Sequence, residues 1–376
     1  MNPIQNHLKT LDARLLFAAS ATSLAMLISS PSLAQDSEPM HDEEGESQPE
    51  LIEEQVLDDD EDFEFDLDAL LNTKLTATNP VGINHTHTGG EWMVSYGYMH
   101  MEMGGNLNGT SDVSTADVLA DFAIAPLSMT MDMNMAMVMY APTDKVTLML
   151  MVPQVSKSMN LITGGGTRFT TRSSGLGDIQ LTSLIGLHEE GMHQFHMTVG
   201  ASLPTGSIDE MDATPAGFSI LPYPMQLGSG TYDLITGITY IGEKDDWSWG
   251  VDAEALIRIG KNDRAYRLGD EFTGTLFTTY QVSEHFTLTL KTNAKTWGNI
   301  NGADPALNPA MVPTADPNLR GGTRFDIVGG VNFFQDEGFF EGHRLAIEIG
   351  LPYYQDLDGP QLETDWIFSF EWSWVF

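Results

Sequence analysis

The chain has 376 residues, no cysteine, and 53 acidic against 17 basic side chains, a formal net charge of −36. Nucleic-acid backbones are held by Lys and Arg, so this balance excludes a nucleic-acid partner. The absence of thiols excludes disulfides, thiolate metal sites and cysteine nucleophiles together, and stability must come from hydrogen-bonded elements and packing.

Residues 1–34 have the layout of a secretory signal peptide: Lys9 and Arg14, the apolar LLFAASATSLAMLI, and Leu33-Ala34 ahead of Gln35. Such a segment is removed on export through the Sec pathway. Residues 35–66 form an acidic arm; positions 36 to 68 carry 17 Asp and Glu and no Lys or Arg. Charges this dense repel one another, and the arm has too little apolar surface to offset the entropy of ordering, so it is expected to be disordered in the periplasm. Residues 67–90 read as a short amphipathic helix, with Leu67, Leu70, Leu71 and Lys74 on one face, and a linker. This stretch is too short for a plug domain. No later run reaches the roughly 18 apolar residues of a helical span.

From 91 to 376 the sequence breaks into twelve segments with two-residue alternation, bounded by Gly, Pro, Asp and Asn. They fall near 91–103, 128–141, 145–157, 177–188, 192–203, 230–242, 247–260, 270–282, 286–298, 322–335, 342–355 and 364–376. Every second link is brief (PTD, EEG, EKDD, SEH, DEGFFEG) and the others are longer. Outer-membrane barrels pair short periplasmic turns with long outer loops in this way. The expected fold is all-β: an antiparallel transmembrane β-barrel of about 12 strands, located in the cell outer membrane with membrane lipid as its partner.

In the closing segment Phe368, Phe370, Trp372, Trp374 and Phe376 share one face, with Ser369, Glu371 and Ser373 opposite. The aromatic face suits lipid, and a terminal Phe on such a strand looks like the signal read by the barrel-assembly machinery. Charges facing lipid cost up to a few kcal/mol at mid-bilayer. That phase therefore sends Asp252, Glu254, Arg258, Lys291, Asn293, Lys295, Arg344, Glu348 and Glu371 into the lumen, where they pair with one another or line a solute path.

The second segment places Met129, Met131, Met133, Met135, Met137 and Met139 on one face, with Asp132 and Asn134 on the other. Assigning Asp132 and Asn134 to the lumen turns the methionines toward lipid. Thioethers and imidazoles also suit copper, and His85, His87, Met99, His100 and Met101 are the candidates if a copper ion is a partner. Neighbours in a regular strand point to opposite faces, so Met99 and His100 cannot share an ion there, and no metal site is assigned. The loops near 204–230 and 299–322 are expected to be rigid coil, the latter with Pro305, Pro309, Pro313 and Pro317. No GxSxG and no glycine-rich phosphate loop is present, so neither enzymatic chemistry nor a cofactor is implied.

The motifs SGLGDI (174–179), ASLPTGS (201–207), GSGTYDL (228–234) and QLETDW (361–366) resemble those of the outer-membrane transporter family named for the meta-pathway of phenol degradation. The resemblance spans 91–376. It implies a barrel and passage of small organic molecules, and transfers no site residue. The expected function is an outer-membrane channel for passive passage of small solutes, hydrophobic or aromatic ones included. The alternative is a barrel that binds or transports copper or a similar soft cation.

Overall fold

A computed structural model describes residues 80–376 apart from Asp336. The signal peptide, the acidic arm and the amphipathic helix expected from residue 67 lie outside the described residues. In chain order, β1 (Trp92–Gly109) leads through β2 (Ser111–Asp112) and helix α1 (Thr115–Asp121) to β3 (Ile124–Thr143) and β4 (Val146–Thr163). Next come the broken pair β5 (Arg168–Leu176) and β6 (Ile179–Glu190), β7 (His193–Leu203), the hairpin β8 (Met211–Thr214) and β9 (Gly217–Ile220), and β10 (Tyr232–Lys244). The chain continues through β11 (Trp247–Ile259), β12 (Tyr266–Arg267), β13 (Glu271–Ser283), β14 (Phe286–Trp297) and β15 (Asn301–Gly302), and ends in β16 (Gly322–Gln335) and β17 (His343–Val375).

Eleven of these strands close an antiparallel ring, β17-β16-β14-β13-β11-β10-β7-β6-β4-β3-β1, in which β17 pairs back with β1; β2 and β5 attach outside it. The 33 residues of β17 form two staves. Residues 343–357 pair with β16 and 357–375 with β1, and the two arms meet where Val375 N–H donates to Gly342 O at 3.1 Å and Thr364 N–H to Gln355 Oε1 at 2.9 Å. Counted by stave, the barrel matches the twelve segments expected. Trp92 and Phe376 exchange backbone hydrogen bonds at 2.9 Å each way, so the last residue seals the ring against the first strand.

The alternation explains which residues meet lipid. Trp92, Leu148, Leu150, Trp247, Leu288 and Ile349 are exposed on the outside, while the residues between them turn inward. β1, β3 and β4 run beyond their expected ends because their outer faces turn polar and continue as rows of hydrogen bonds: Tyr98 Oη donates to Asp132 Oδ1 at 2.6 Å, and Ser156 and Ser174 meet at 2.7 Å. β5, rich in Ser, Thr and Arg, extends that polar sheet. α1 is short and is capped by Ser114, whose Oγ accepts from Asp117 N–H at 3.2 Å.

The long loops do not stand away from the mouth. Leu221, Met225, Val312 and Ala315 pack onto Met129, Met159 and Leu161 of the inner wall, and Tyr223 packs with Tyr266 and Ile300. The loops are folded across one end of the barrel, and they are not coil throughout as expected: the first forms the hairpin β8–β9, and Asn301–Gly302 of the second pairs with β12.

Candidate functional site

The lumen is the site, and the chain's own residues 80–90 enter it from the short-turn end. At the rim, Gly89 N–H donates to Asp144 Oδ1 at 2.8 Å, and His87 N–H donates to Thr147 Oγ1 at 2.9 Å. Ile83 then packs on Ile241 and Phe277. Deeper still, Val81 N–H donates to Glu348 Oε1 at 2.9 Å while Lys291 Nζ donates to Val81 O at 2.8 Å. Lys291 and Glu348 pair with each other at 2.5 Å, so one buried ion pair clamps both polar groups of a single peptide residue. The linker expected here is therefore a seated lumen segment. His85 and His87 lie within it, their rings 4.8 Å apart. Burial first, then His87 and Arg344 nearby, hold the His85 pKa well below its ordinary 6.5, and the ring stays neutral.

The wall from β10 to β17 is charged and paired. Arg258 bridges Asp233 at 2.5 Å and Glu271 at 2.7 Å, and Lys295 joins Glu271 at 2.6 Å. Arg344 reaches Glu371 at 3.4 Å and Asn332 Oδ1 at 3.2 Å, and Arg324 holds Asp326 at 2.9 Å. Asp252 and Glu254 face the same way as Arg258, with Thr239 donating to Asp252 at 2.7 Å. The expected inward set on these strands is placed inward.

Asp132 and Asn134 are the exception, and with them the methionines reverse. Register sets Asn134 beside Tyr98 and Phe370, and Asp132 beside His100 and Phe368, all on the lipid-side face. The odd-numbered partners point inward: Met139 lies between Met93 and Met149, and Met133 beside Val155. Alternation fixes two faces but not which one is inside. The polar face of β3 needs no lumen, because it is satisfied outside by Tyr96, Tyr98 and His100. The copper candidates are likewise not gathered. His100 is outside, bonded to Asp132 at 2.8 Å, whereas Met99 and Met101 are on the inner wall and His85 and His87 on the lumen segment. Among the described residues no group of three or more His, Asp and Glu is placed to hold one ion.

Between the barrel wall and the loops lies a cavity of about 410 Å³. Met133, Met151 and Val155 form one side, Leu256, Trp297 and Ile300 the other, and Lys157, Arg258 and Glu271 supply charge. This volume is within the range that encloses a small organic molecule. Lys157 does not face it unbound: its Nζ donates to the carbonyls of Pro224 and Gln226 at 2.9 and 2.6 Å, tying a loop to the methionine wall.

Three of the sequence motifs converge at the edge of this cavity. Asp178 of SGLGDI accepts from Gly206 N–H of ASLPTGS at 2.9 Å and from Ser229 N–H of GSGTYDL at 2.7 Å. A Cβ on Gly228 would lie 2.5 Å from Asp178 Oδ1 and from Gly206 O, which is why both loops need glycine where they touch. Asp233, from the third motif, accepts from Thr231 Oγ1 at 2.6 Å and pairs with Arg258. Sequence reasoning missed this junction because its members are about 25 residues apart and only the paired loops bring them together.

Residues 48–349 match the family model described as "Putative MetA-pathway of phenol degradation". Among solved structures, an outer membrane channel from Pseudomonas putida F1 aligns at TM-score 0.54 and 17% identity, covering 79% of this chain and 99% of that one. A Pseudomonas aeruginosa FadL homologue aligns at 0.36 and 10%, covering 76% and 89%, and the NanC porin at 0.35 and 9%, covering 75% and 98%. No curated protein matches the sequence. The first alignment bears on the fold, which is that of an outer-membrane β-barrel.

Proposed function

The chain belongs to the family of the phenol-degradation meta-pathway, and on that footing we propose that it is an outer-membrane channel for passive passage of small solutes with an apolar body and a polar group. The observation that carries this reading is the cavity inside a closed ring, lined by thioethers and apolar side chains from both walls, with Lys157, Arg258 and Glu271 among them. An aromatic or hydrophobic solute would lie against the apolar lining and be oriented by Lys157, Arg258 or Glu271. By the general pattern of outer-membrane barrels the short turns would face the periplasm and the loop lid the outside. Segment 80–90 then restricts the periplasmic exit, and the sealed Trp92–Phe376 closure is the part presented to the assembly machinery.

The test is planar-bilayer conductance of the full chain, together with uptake of small aromatic solutes into liposomes. Wild type is expected to pass small solutes slowly. The double variant Lys291→Met/Glu348→Leu, which removes both anchors of Val81, is expected to raise conductance. A barrel that passes neither ions nor aromatic solutes in either form would overturn the reading.

A further inference from the structure

The outer faces of β1, β3 and β4 use Trp, Tyr, Val and Leu where they meet lipid, but their inner faces use methionine. β1 contributes Met93, Met99, Met101 and Met103, and β3 all six of its alternate methionines from Met129 to Met139. β4 adds Met149, Met151 and Met159. Thirteen of the 21 methionines in the chain therefore line one patch of the lumen. Strands β10 to β17 carry no methionine, and their inner positions hold Thr, Asn, charged groups and a few apolar residues such as Phe277 and Val328, so the patch is not a general property of this interior.

Register also groups the sulfurs. Met93, Met139 and Met149 lie side by side in one cross-strand row, and Met103, Met129 and Met159 in another, the latter closed over by Met225. Directly opposed residues have Cβ atoms about 4.5–5.5 Å apart, and a thioether on three rotatable bonds can swing to share one ion with its neighbours. Other rows join these two: Met101 opposite Met131, Met99 opposite Met133, and Met137 opposite Met151. Gly97 leaves room for Met135, whose Cε would be 3.0 Å from a Cβ there. At the short-turn end the patch meets the histidines. His87 binds Thr147, two residues from Met149 on the same face. His85 is 7% exposed and its Nε2 has no partner.

We propose that this methionine wall is a binding site for soft monovalent cations, Cu(I) or Ag(I), held in rows of thioethers with the buried imidazole of His85 at the short-turn end. Neutral thioether sulfur prefers these ions to hard divalent cations, which need carboxylate and carbonyl oxygen. The site shares Met133 and Met151 with the solute cavity, but metal binding and solute passage are read by separate measurements, and either can fail without the other.

Ag(I), which does not change oxidation state in air, is the probe. Purified full-length protein in chloride-free detergent buffer is dialysed against silver nitrate and its bound metal counted. More than one silver ion per barrel is expected, undisplaced by Zn(II) or Ca(II). Leucine conserves volume in such positions, so the two rows are replaced together as Met93→Leu, Met139→Leu, Met149→Leu, Met103→Leu, Met129→Leu and Met159→Leu. This variant should bind silver at least about tenfold more weakly, the loss seen even for an outer-shell partner. A control with Met192→Leu, Met211→Leu and Met311→Leu, all exposed in wild type, should bind as wild type does. Equal binding by wild type and row variant, equal loss in the control, or displacement by Zn(II) would each overturn the proposal. A second measurement needs no variant: silver should protect Met133 and Met151, which line the cavity, from peroxide oxidation as read by mass spectrometry, and leave Met211 and Met311 unprotected. Absence of that protection would overturn it as well.

Discussion

On β1, β3 and β4 the lumen is bounded by flexible, neutral thioethers, while from β10 to β17 it is bounded by ion pairs such as Arg258 with Asp233 and Glu271, and Lys291 with Glu348. Both walls fill a narrow interior, but they do so under different rules. A buried charge is tolerable only when its partner and hydrogen bonds are in place, so the charged side fixes geometry. Methionine has no directional requirement and several rotamers, so its side can reshape around whatever lies beside it. The rigid side is also the one that grips the lumen segment at Val81. The charged wall thus fixes the deep end of the obstruction, while the methionine side holds it only at the rim, through Thr147 and Asp144, and keeps its side chains adaptable.

The sharpest way to break this contrast is to remove half of an ion pair. Lys291→Met leaves Glu348 buried without its counter-charge, and Val81 O without its donor. A loss of about 3–5 kcal/mol is expected, read by denaturant unfolding followed through tryptophan fluorescence. Adding Glu348→Leu should recover most of it, because a neutral pair of similar volume carries no stranded charge. A double variant as unstable as the single one would show that the clamp matters for reasons other than charge.

The methionine side should answer differently to substitution. Met139 is 2% exposed and packs with Met93, Met149 and Leu184. Met139→Ala opens a cavity and should cost about 2–5 kcal/mol, but Met139→Leu should cost less than about 1.5 kcal/mol. A leucine at this position that destabilised the barrel as much as alanine would mean the wall is as exacting as the charged one.

A smaller effect is expected from acid. The seated segment favours neutral His85, because burial and the nearby His87, His196 and Arg344 all oppose its proton, against one favourable contact to Ile83 O. A released or unfolded segment binds that proton more readily. Seating is therefore at full strength above the ordinary pKa of 6.5 and weakens as pH falls below it. Protection factors for hydrogen exchange at residues 81–88, which remove the intrinsic slowing of amide exchange in acid, should fall below that pH in wild type and change less in His85→Gln. An identical acid response in the two proteins would place the sensitivity elsewhere.

The barrel was legible in the sequence because strand alternation and the short-long rhythm of links are local signals. Even the inward charges of the later strands followed from the aromatic phase of Phe368 to Phe376. What stayed hidden depends on contacts between distant parts of the chain. Residues 80–90 have no pattern of their own, and contacts with distant residues, Asp144, Thr147, Lys291 and Glu348 among them, make them a lumen segment. The cluster at Asp178, Gly206 and Ser229 needed two loops to be folded before its glycines could meet.

The methionine ladder failed for another reason, and Asp132 tests the corrected assignment. Taken alone, β3 offers an apolar face and a polar face, and placing the polar one in the lumen is the natural choice for a strand that crosses lipid along its whole length. β3 is 20 residues long, and opposite Tyr98 and His100 its outer face is already polar, so Asp132 can remain outside with tyrosine and imidazole for partners. Its contact with His100 is partly exposed on both sides, and even a full surface ion pair contributes only about 0–1 kcal/mol. Asp132→Ala should therefore change unfolding stability by less than about 1 kcal/mol and leave the cation-to-anion selectivity of the channel as it was. Glu254→Ala, by contrast, removes a carboxylate from the inner wall and should reduce cation preference. Selectivity that moved with Asp132 and not with Glu254 would return the methionines to the lipid and remove the adaptable wall from the lumen.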